Sequence, residues 1–170
     1  MSRIGRSLAL QFSLAAVFTA MVAALTLLIR IPVPATGGYI NFGDTVIFVS
    51  ALLFGPLVGG LSGGIGSAIA DMIGYPVFAP FTFVIKGLEG FLIGKIGRGR
   101  SLPWSILACV VGGGVMVCGY FIAEAYVLML GVPVALVEVP GNVSQAVTAG
   151  LIGIPLSQFL RRRIPSHAGL

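Results

Sequence analysis

The stretch GGYINFGDTVIFVSALLFGPLVGG, residues 37–60, decides the fold. Past Asp44 its side chains are apolar or small as far as Phe54, where Gly55 and Pro56 interrupt the run. A membrane-spanning helix needs about 20 such residues. This helix therefore either just spans or forms one leg of a re-entrant hairpin with the glycine-rich run that follows, and both versions return the chain to the side it left. At its mouth stand Asn41, Gly43 and Asp44, and a carboxylate there has two readings. Aspartate is a favoured N-cap, because its side chain accepts an orphaned backbone N–H two or three residues on. It is also a group that a ligand in a polar cavity would touch.

The surroundings are those of a membrane protein. The 170 residues are 57% hydrophobic and only 9% charged, whereas soluble domains carry roughly 25% charged residues. Apolar runs cover residues 8–29, 44–56, 57–74, 78–96, 102–130 and 139–160, separated by short breaks rich in proline and glycine. They predict an all-α integral membrane protein, a single transmembrane domain over residues 1–170 with six transmembrane helices. The N-terminus begins like a signal peptide, but its apolar run is too long for an h-region and reads as a retained helix. Arg3, Arg6, Lys95, Arg98, Arg100, Arg161, Arg162 and Arg163 fall on one side of this topology, leaving Arg30 opposite and Lys86 within a helix. The positive-inside rule places that basic side, with both termini, in the cytoplasm. The net charge of +5 is thus a topology signal, and no nucleic-acid partner is expected.

Ionisable groups in lipid are costly, so they face a cavity or a partner. All five acidic residues, Asp44, Asp71, Glu89, Glu124 and Glu138, fall in the outer half, as do Lys86, Asn142 and Gln145 at the head of the sixth helix. The inner halves are almost purely apolar. That segregation predicts a polar cavity open to the outside. Lys86 and Glu89 share a helix face, as do Asn142 with Gln145 and Tyr120 with Glu124, and Ser67, Asp71 and Tyr75 form a stripe. The plain alternative for Lys86 is a structural bridge to Asp71 or Glu89.

Other features carry less. GGLSGGIGSA (residues 59–68) lacks the Lys-Ser/Thr ending of a phosphate-binding loop and lies in a membrane segment. Gly59, Gly63, Gly60 and Gly64 have the spacing of close helix packing, and Ala16, Ala20 and Ala24 make a smooth stripe on the first helix. Cys109 and Cys118 read as small packing residues. His167 is the single histidine, so no metal site and no histidine-based catalysis are expected, and no nucleophile–base spacing suggests an enzyme.

Six helices, an outward polar cavity, small size and no ATP-binding motif describe a receptor without a motor. Over nearly its whole length the chain resembles the substrate-specific (S) components of energy-coupling factor (ECF) transporters, which import vitamins and related micronutrients in prokaryotes. The resemblance is carried by residues 37–75, by FTFVIKGLEGFLIGKI (81–96) and by VPGNVSQAVTAGLIGIPL (139–156). It implies an S-component-like bundle in the prokaryotic cytoplasmic membrane. Ala16, Ala20 and Ala24 match the family's alanine face, which docks on a membrane-embedded coupling protein. Residues 30–43 match the loop that closes over the substrate, making Tyr39 and Asn41 lid contacts. Lys86, Glu124, Asn142 and Gln145 match the outer half of helices four to six, where family substrates bind; Asp44, Glu89 and Tyr120 complete the expected ligand-binding set. In the family the S component topples in the membrane on docking, and two ATPase subunits supply the energy, so the chain itself would hydrolyse nothing and hold no cofactor.

The segment around Asp44 is similar to the branch associated with riboflavin and with the pyrimidine precursor of thiamin. Riboflavin members more often show Asp-Phe-Ser-Asp where this chain has Asn-Phe-Gly-Asp, which favours a smaller heterocycle such as hydroxymethylpyrimidine, ahead of riboflavin, pyridoxine or pantothenate. The rival classes are a self-sufficient channel or secondary transporter, which would place charges at the midplane of broken helices, and a non-transporting assembly factor, which would have no use for clustered amides on the sixth helix.

Overall fold

The computed structural model describes residues 3–33 and 38–163; His167 lies outside them. Helix α1 (Arg3–Leu28) leads into a hairpin of β1 (Arg30–Val33) and β2 (Gly38–Asn41), followed by α2 (Gly43–Phe54), α3 (Pro56–Gly74), α4 (Ala79–Gly97), α5 (Leu102–Ile122) and α6 (Val132–Arg161). A π-helical turn, Ala123–Val127, extends α5.

Beyond its first turn helix α2 carries apolar or small side chains on every face, and a helix of that composition is buried. Ile47, Phe48, Ala51 and Leu52 form the core with Val22 of α1, Ile93 of α4, Ala108 and Cys109 of α5 and Ala149 of α6. Its 12 residues measure about 18 Å at 1.5 Å per residue, well short of a hydrocarbon core of about 30 Å. So α2 is a central post rather than a full span. Gly55, with φ +95°, turns the chain directly into α3, a conformation open to glycine and strained for other residues.

The glycine seam expected of α3 is present and faces α4. A methyl group on Gly63 would stand 2.5 Å from the Lys86 carbonyl oxygen, and one on Gly64 2.8 Å from that of Phe83. The two backbones meet because neither helix has side chains between them. Away from that seam, Ser50 of α2 and Ser62 of α3 share a hydrogen bond at 3.0 Å.

The two ends of the bundle differ in chemistry. At one end Arg161 donates to the carbonyls of Gly99 (2.9 Å) and Arg100 (3.5 Å), Arg100 lies over Trp104 at 4.7 Å, and Arg98 covers Gly55. This is the basic, cytoplasmic end. The opposite end carries the hairpin.

Two expectations change. Residues 30–43 are not an irregular loop: β1 and β2 pair antiparallel, Arg30 opposite Asn41 and Ile31 opposite Ile40. And α6 begins at Val132, not Val139, running through Pro140 and Pro155. Proline normally ends a helix by removing an N–H, which is why the break reads as a helix start; inside a bundle, neighbouring groups absorb that loss. Cys109 is buried as expected, whereas Cys118 is exposed on the bundle's outer surface; both are free.

The seam yields a paired prediction. Gly63→Val should lower unfolding stability by about 1–3 kcal/mol through overpacking. Gly114→Ala, whose added methyl meets nothing within 4 Å, should leave stability unchanged or raise it by up to about 1 kcal/mol. Denaturant unfolding in detergent micelles reads both, and equal effects would contradict the seam.

Candidate functional site

Lys86 organises the outer half. It sits seven residues into α4, about 10 Å below the helix start, where the glycine seam lets α4 close on α3. Its Nζ lies 2.5 Å from Asp44 Oδ1 and 3.1 Å from Glu89 Oε2, and all three side chains are at most 2% exposed. Gln145 of α6 donates from Nε2 to Asp44 Oδ2 at 2.7 Å, and its Oε1 accepts the Asn41 N–H at 2.7 Å. Asn41 Oδ1 in turn accepts the Gly43 N–H at 2.8 Å and the Thr26 hydroxyl at 3.4 Å. A buried cation is tolerable only with such pairing and hydrogen bonding on its partners.

This arrangement corrects the capping role expected of Asp44. The N-cap of α2 is Phe42, which makes no side-chain cap bond, and Asn41 covers the first N–H instead. Asp44 is already the second helical residue, too far along to fold back onto its own helix end. Facing it is a buried ammonium, whose pull in a low dielectric exceeds that of a backbone N–H. The bridge from Lys86 to Glu89 is as expected; the second partner is Asp44, and Lys86 makes no ion pair with Asp71.

The hairpin is latched to the top of this network. Arg30 donates from Nη2 to the Ala70 carbonyl at 2.9 Å and from Nε to that of Thr26 at 3.2 Å. Its guanidinium lies 4.7 Å from the Tyr39 ring centre and 5.7 Å from that of Tyr75, an attractive cation–π geometry. The two tyrosine rings are 4.8 Å apart. The Tyr39 hydroxyl donates to Asp71 Oδ1. Burial first, and then the neighbouring Asp71, push the Tyr39 phenol up from its ordinary value, so it keeps the proton it donates.

Beneath the hairpin lies a narrow polar cavity with about 30 Å³ of free space in this structure. Of the residues expected to bind ligand, Tyr39, Asn41, Lys86, Tyr120, Glu124, Asn142 and Gln145 line it. Asp44 and Glu89 do not; they serve Lys86. The wall also includes Thr26, Ser67, Asp71, Tyr75, Phe78, Thr82 and Glu138, outside the expected set. Helical spacing held signals for several: Ser67, Asp71 and Tyr75 repeat every four residues, Thr82 is four before Lys86, and Glu138 is four before Asn142. Thr82 and Tyr120 share a hydrogen bond at 3.0 Å. Asn142 and Gln145 do not open α6; they lie within it, because the helix starts at Val132. On the far side of α1, Ala16, Ala20 and Ala24 are all exposed, so the stripe is not internal packing.

A family model described as ECF-type riboflavin transporter, S component, matches residues 9–162. A Pyrococcus woesei protein, described as an uncharacterized protein in the gap 3' region, is 50% identical over 144 residues, covering 84% of this chain and 96% of that protein. A protein of Lactococcus lactis subsp. cremoris named thiamine precursor transporter HmpT is 29% identical over 154 residues, covering 89% of this chain and 88% of the relative. The solved structure of the S component of a bacterial ECF transporter superposes with a TM-score of 0.73 over 90% of this chain and 96% of its own, at 19% identity; that likeness establishes the fold.

The charge network makes its own prediction. Lys86→Met leaves Asp44 and Glu89 buried without a cation and should cost about 3–5 kcal/mol. Adding Asp44→Asn and Glu89→Gln should recover most of that loss in denaturant unfolding. A triple variant no more stable than Lys86→Met would mean that the unpaired carboxylates are not the source of the loss.

Proposed function

The chain belongs to the S-component family of ECF-type riboflavin transporters, and from that membership we propose that it is the membrane-embedded receptor for a vitamin precursor, with hydroxymethylpyrimidine favoured over riboflavin, pyridoxine and pantothenate. The observation that carries the reading is the polar cavity beneath the hairpin, at one end of a bundle whose sides expose many large apolar side chains. Support for the pyrimidine comes from the relative named thiamine precursor transporter and from Asn-Phe-Gly-Asp at residues 41–44.

The roles divide by layer. The Lys86–Asp44–Glu89 cluster holds the floor, and Tyr120, Glu124, Asn142 and Gln145 form the wall that meets the ligand. Tyr39 and Asn41 close over it. Because Asn41 and Asp44 grip the two ends of the Gln145 amide, ligand contact on the wall and closure of the lid share one hydrogen-bonded path. The exposed alanine stripe of α1 offers close backbone approach to a helix of the coupling protein. That protein and two ATPase subunits would do the energised work in a prokaryotic cytoplasmic membrane, and the chain would carry cargo without catalysis.

Two measurements check this. A ligand that binds only the folded chain adds about 2.7 kcal/mol of stability at a hundredfold excess over its Kd, so thermal unfolding against B vitamins and their precursors should give one clear rise, lost in Asn142→Ala. Ala20→Trp should leave that rise intact but abolish uptake in cells supplying the coupling protein and ATPases. A flat panel with folded protein would sink the receptor reading, and uptake unaffected by Ala20→Trp would sink the docking face.

A further inference from the structure

We infer that the cavity selects an amine-bearing aromatic heterocycle, neutral or cationic, whose amino group is donated to Glu124, and that it rejects anionic and oxo-substituted analogues; this rests on the receptor reading and narrows its ligand.

The hydrogen-bonding capacity of the wall is mostly committed to protein. Lys86 is held by Asp44 and Glu89. Both ends of the Gln145 amide are engaged. Tyr39 is bonded to Asp71, and Thr82 to Tyr120. Asn142 and Glu124 are the exceptions, and of the two the fully buried one is Glu124. It is 0% exposed, it lines the cavity, and apart from the neighbouring Glu138 carboxyl group its oxygens meet no hydrogen-bonding partner. The Glu89 oxygens also lack one, but Glu89 has Lys86 beside it and does not line the cavity.

A buried carboxyl group without hydrogen bonds is destabilising. A site that keeps one aimed into a cavity is complete only when a ligand brings donors to it. A carboxyl group offers an acceptor oxygen in either protonation state, so an N–H edge on the ligand always finds a partner there, whereas a C=O edge finds one only when the group carries a proton. Glu138 stands against Glu124 from α6 and lines the same cavity, so the wall is acidic at this point. Asp71 adds a third carboxyl group on the wall. A phosphate or carboxylate on the ligand would meet these groups with no uncommitted lysine to offset them, and like charges brought together in this way are a strong basis for rejection.

The rest of the wall suits a flat ring. Tyr75, Phe78 and Tyr120 line the cavity and present faces or edges on which an aromatic heterocycle stacks. Glu124 itself belongs to the π-helical turn Ala123–Val127, a distortion that is rare in helices and recurs at functional sites.

The test is calorimetric titration of the full chain in detergent with four probes: 4-amino-5-hydroxymethyl-2-methylpyrimidine, its 4-oxo analogue, its phosphate ester and riboflavin. The aminopyrimidine should bind, with the oxo analogue and the phosphate each weaker by about 30-fold or more, the scale of a hydrogen bond to a charged group. Glu124→Gln, which can donate as well as accept, should shrink the amino/oxo ratio to about 5-fold or less. Equal affinities for the amino and oxo compounds on the unaltered chain would overturn the inference and leave the receptor intact, whatever the variant does. Tight riboflavin binding without aminopyrimidine binding would do the same. Binding of none of the four by folded protein would overturn the vitamin-precursor reading and this inference with it.

Discussion

A lysine ammonium buried in an apolar bundle has to be neutralised where it stands, and much of the outer half of this molecule is arranged around that constraint. Lys86 is brought inward by the glycine seam between α3 and α4, where Gly63 leaves room for its own carbonyl. Its ammonium needs a carboxylate from another element, and Asp44 supplies it because α2 begins deep in the bundle rather than at the membrane surface. A second carboxylate, Glu89, arrives from the next turn of α4. Coulombic attraction alone does not repay the desolvation of such a cluster. The Gln145 amide on the remaining Asp44 oxygen supplies part of what is missing.

That same amide links the cluster to the hairpin. Gln145 holds Asp44 with one end and the Asn41 backbone with the other, so the floor of the cavity and the edge of its cover are two bonds apart. Arg30, Tyr39, Tyr75 and Asp71 fix the opposite edge through cation–π, stacking and hydrogen-bond contacts. Every one of these contacts is polar or aromatic and none involves the apolar core around α2. Local opening is cheapest where few apolar contacts are lost.

Much of this was legible in the sequence, for physical reasons that differ by residue. The segregation of all five acids to one half followed from the cost of charge in lipid, and the Gly59–Gly63 and Gly60–Gly64 spacings followed from the need for close backbone approach. Lys86 with Glu89 was readable because i, i+3 neighbours meet on any helix. Lys86 with Asp44 was not, since the depth of α2 depends on how a short helix is seated among longer ones. Pro140 concealed the true start of α6, because a proline's local preference outweighs tertiary compensation in any reading of sequence alone. The hairpin strands escaped because Arg30, Pro32 and Tyr39 show no clean alternation; their pairing is imposed by anchors on α1, α3 and α6.

The most direct test of the account is the structure of the chain saturated with its cargo, by crystallography or electron microscopy. Density is expected for one flat molecule between Tyr75, Tyr120, Glu124 and Asn142, under a hairpin still held by Asn41 and Gln145, with Lys86 bridged to Asp44. Cargo found instead in the apolar groove between α5 and α6 that Val110, Val117, Val147 and Leu151 line, or a cavity filled by its own side chains while the cargo sits elsewhere, is the contrary result.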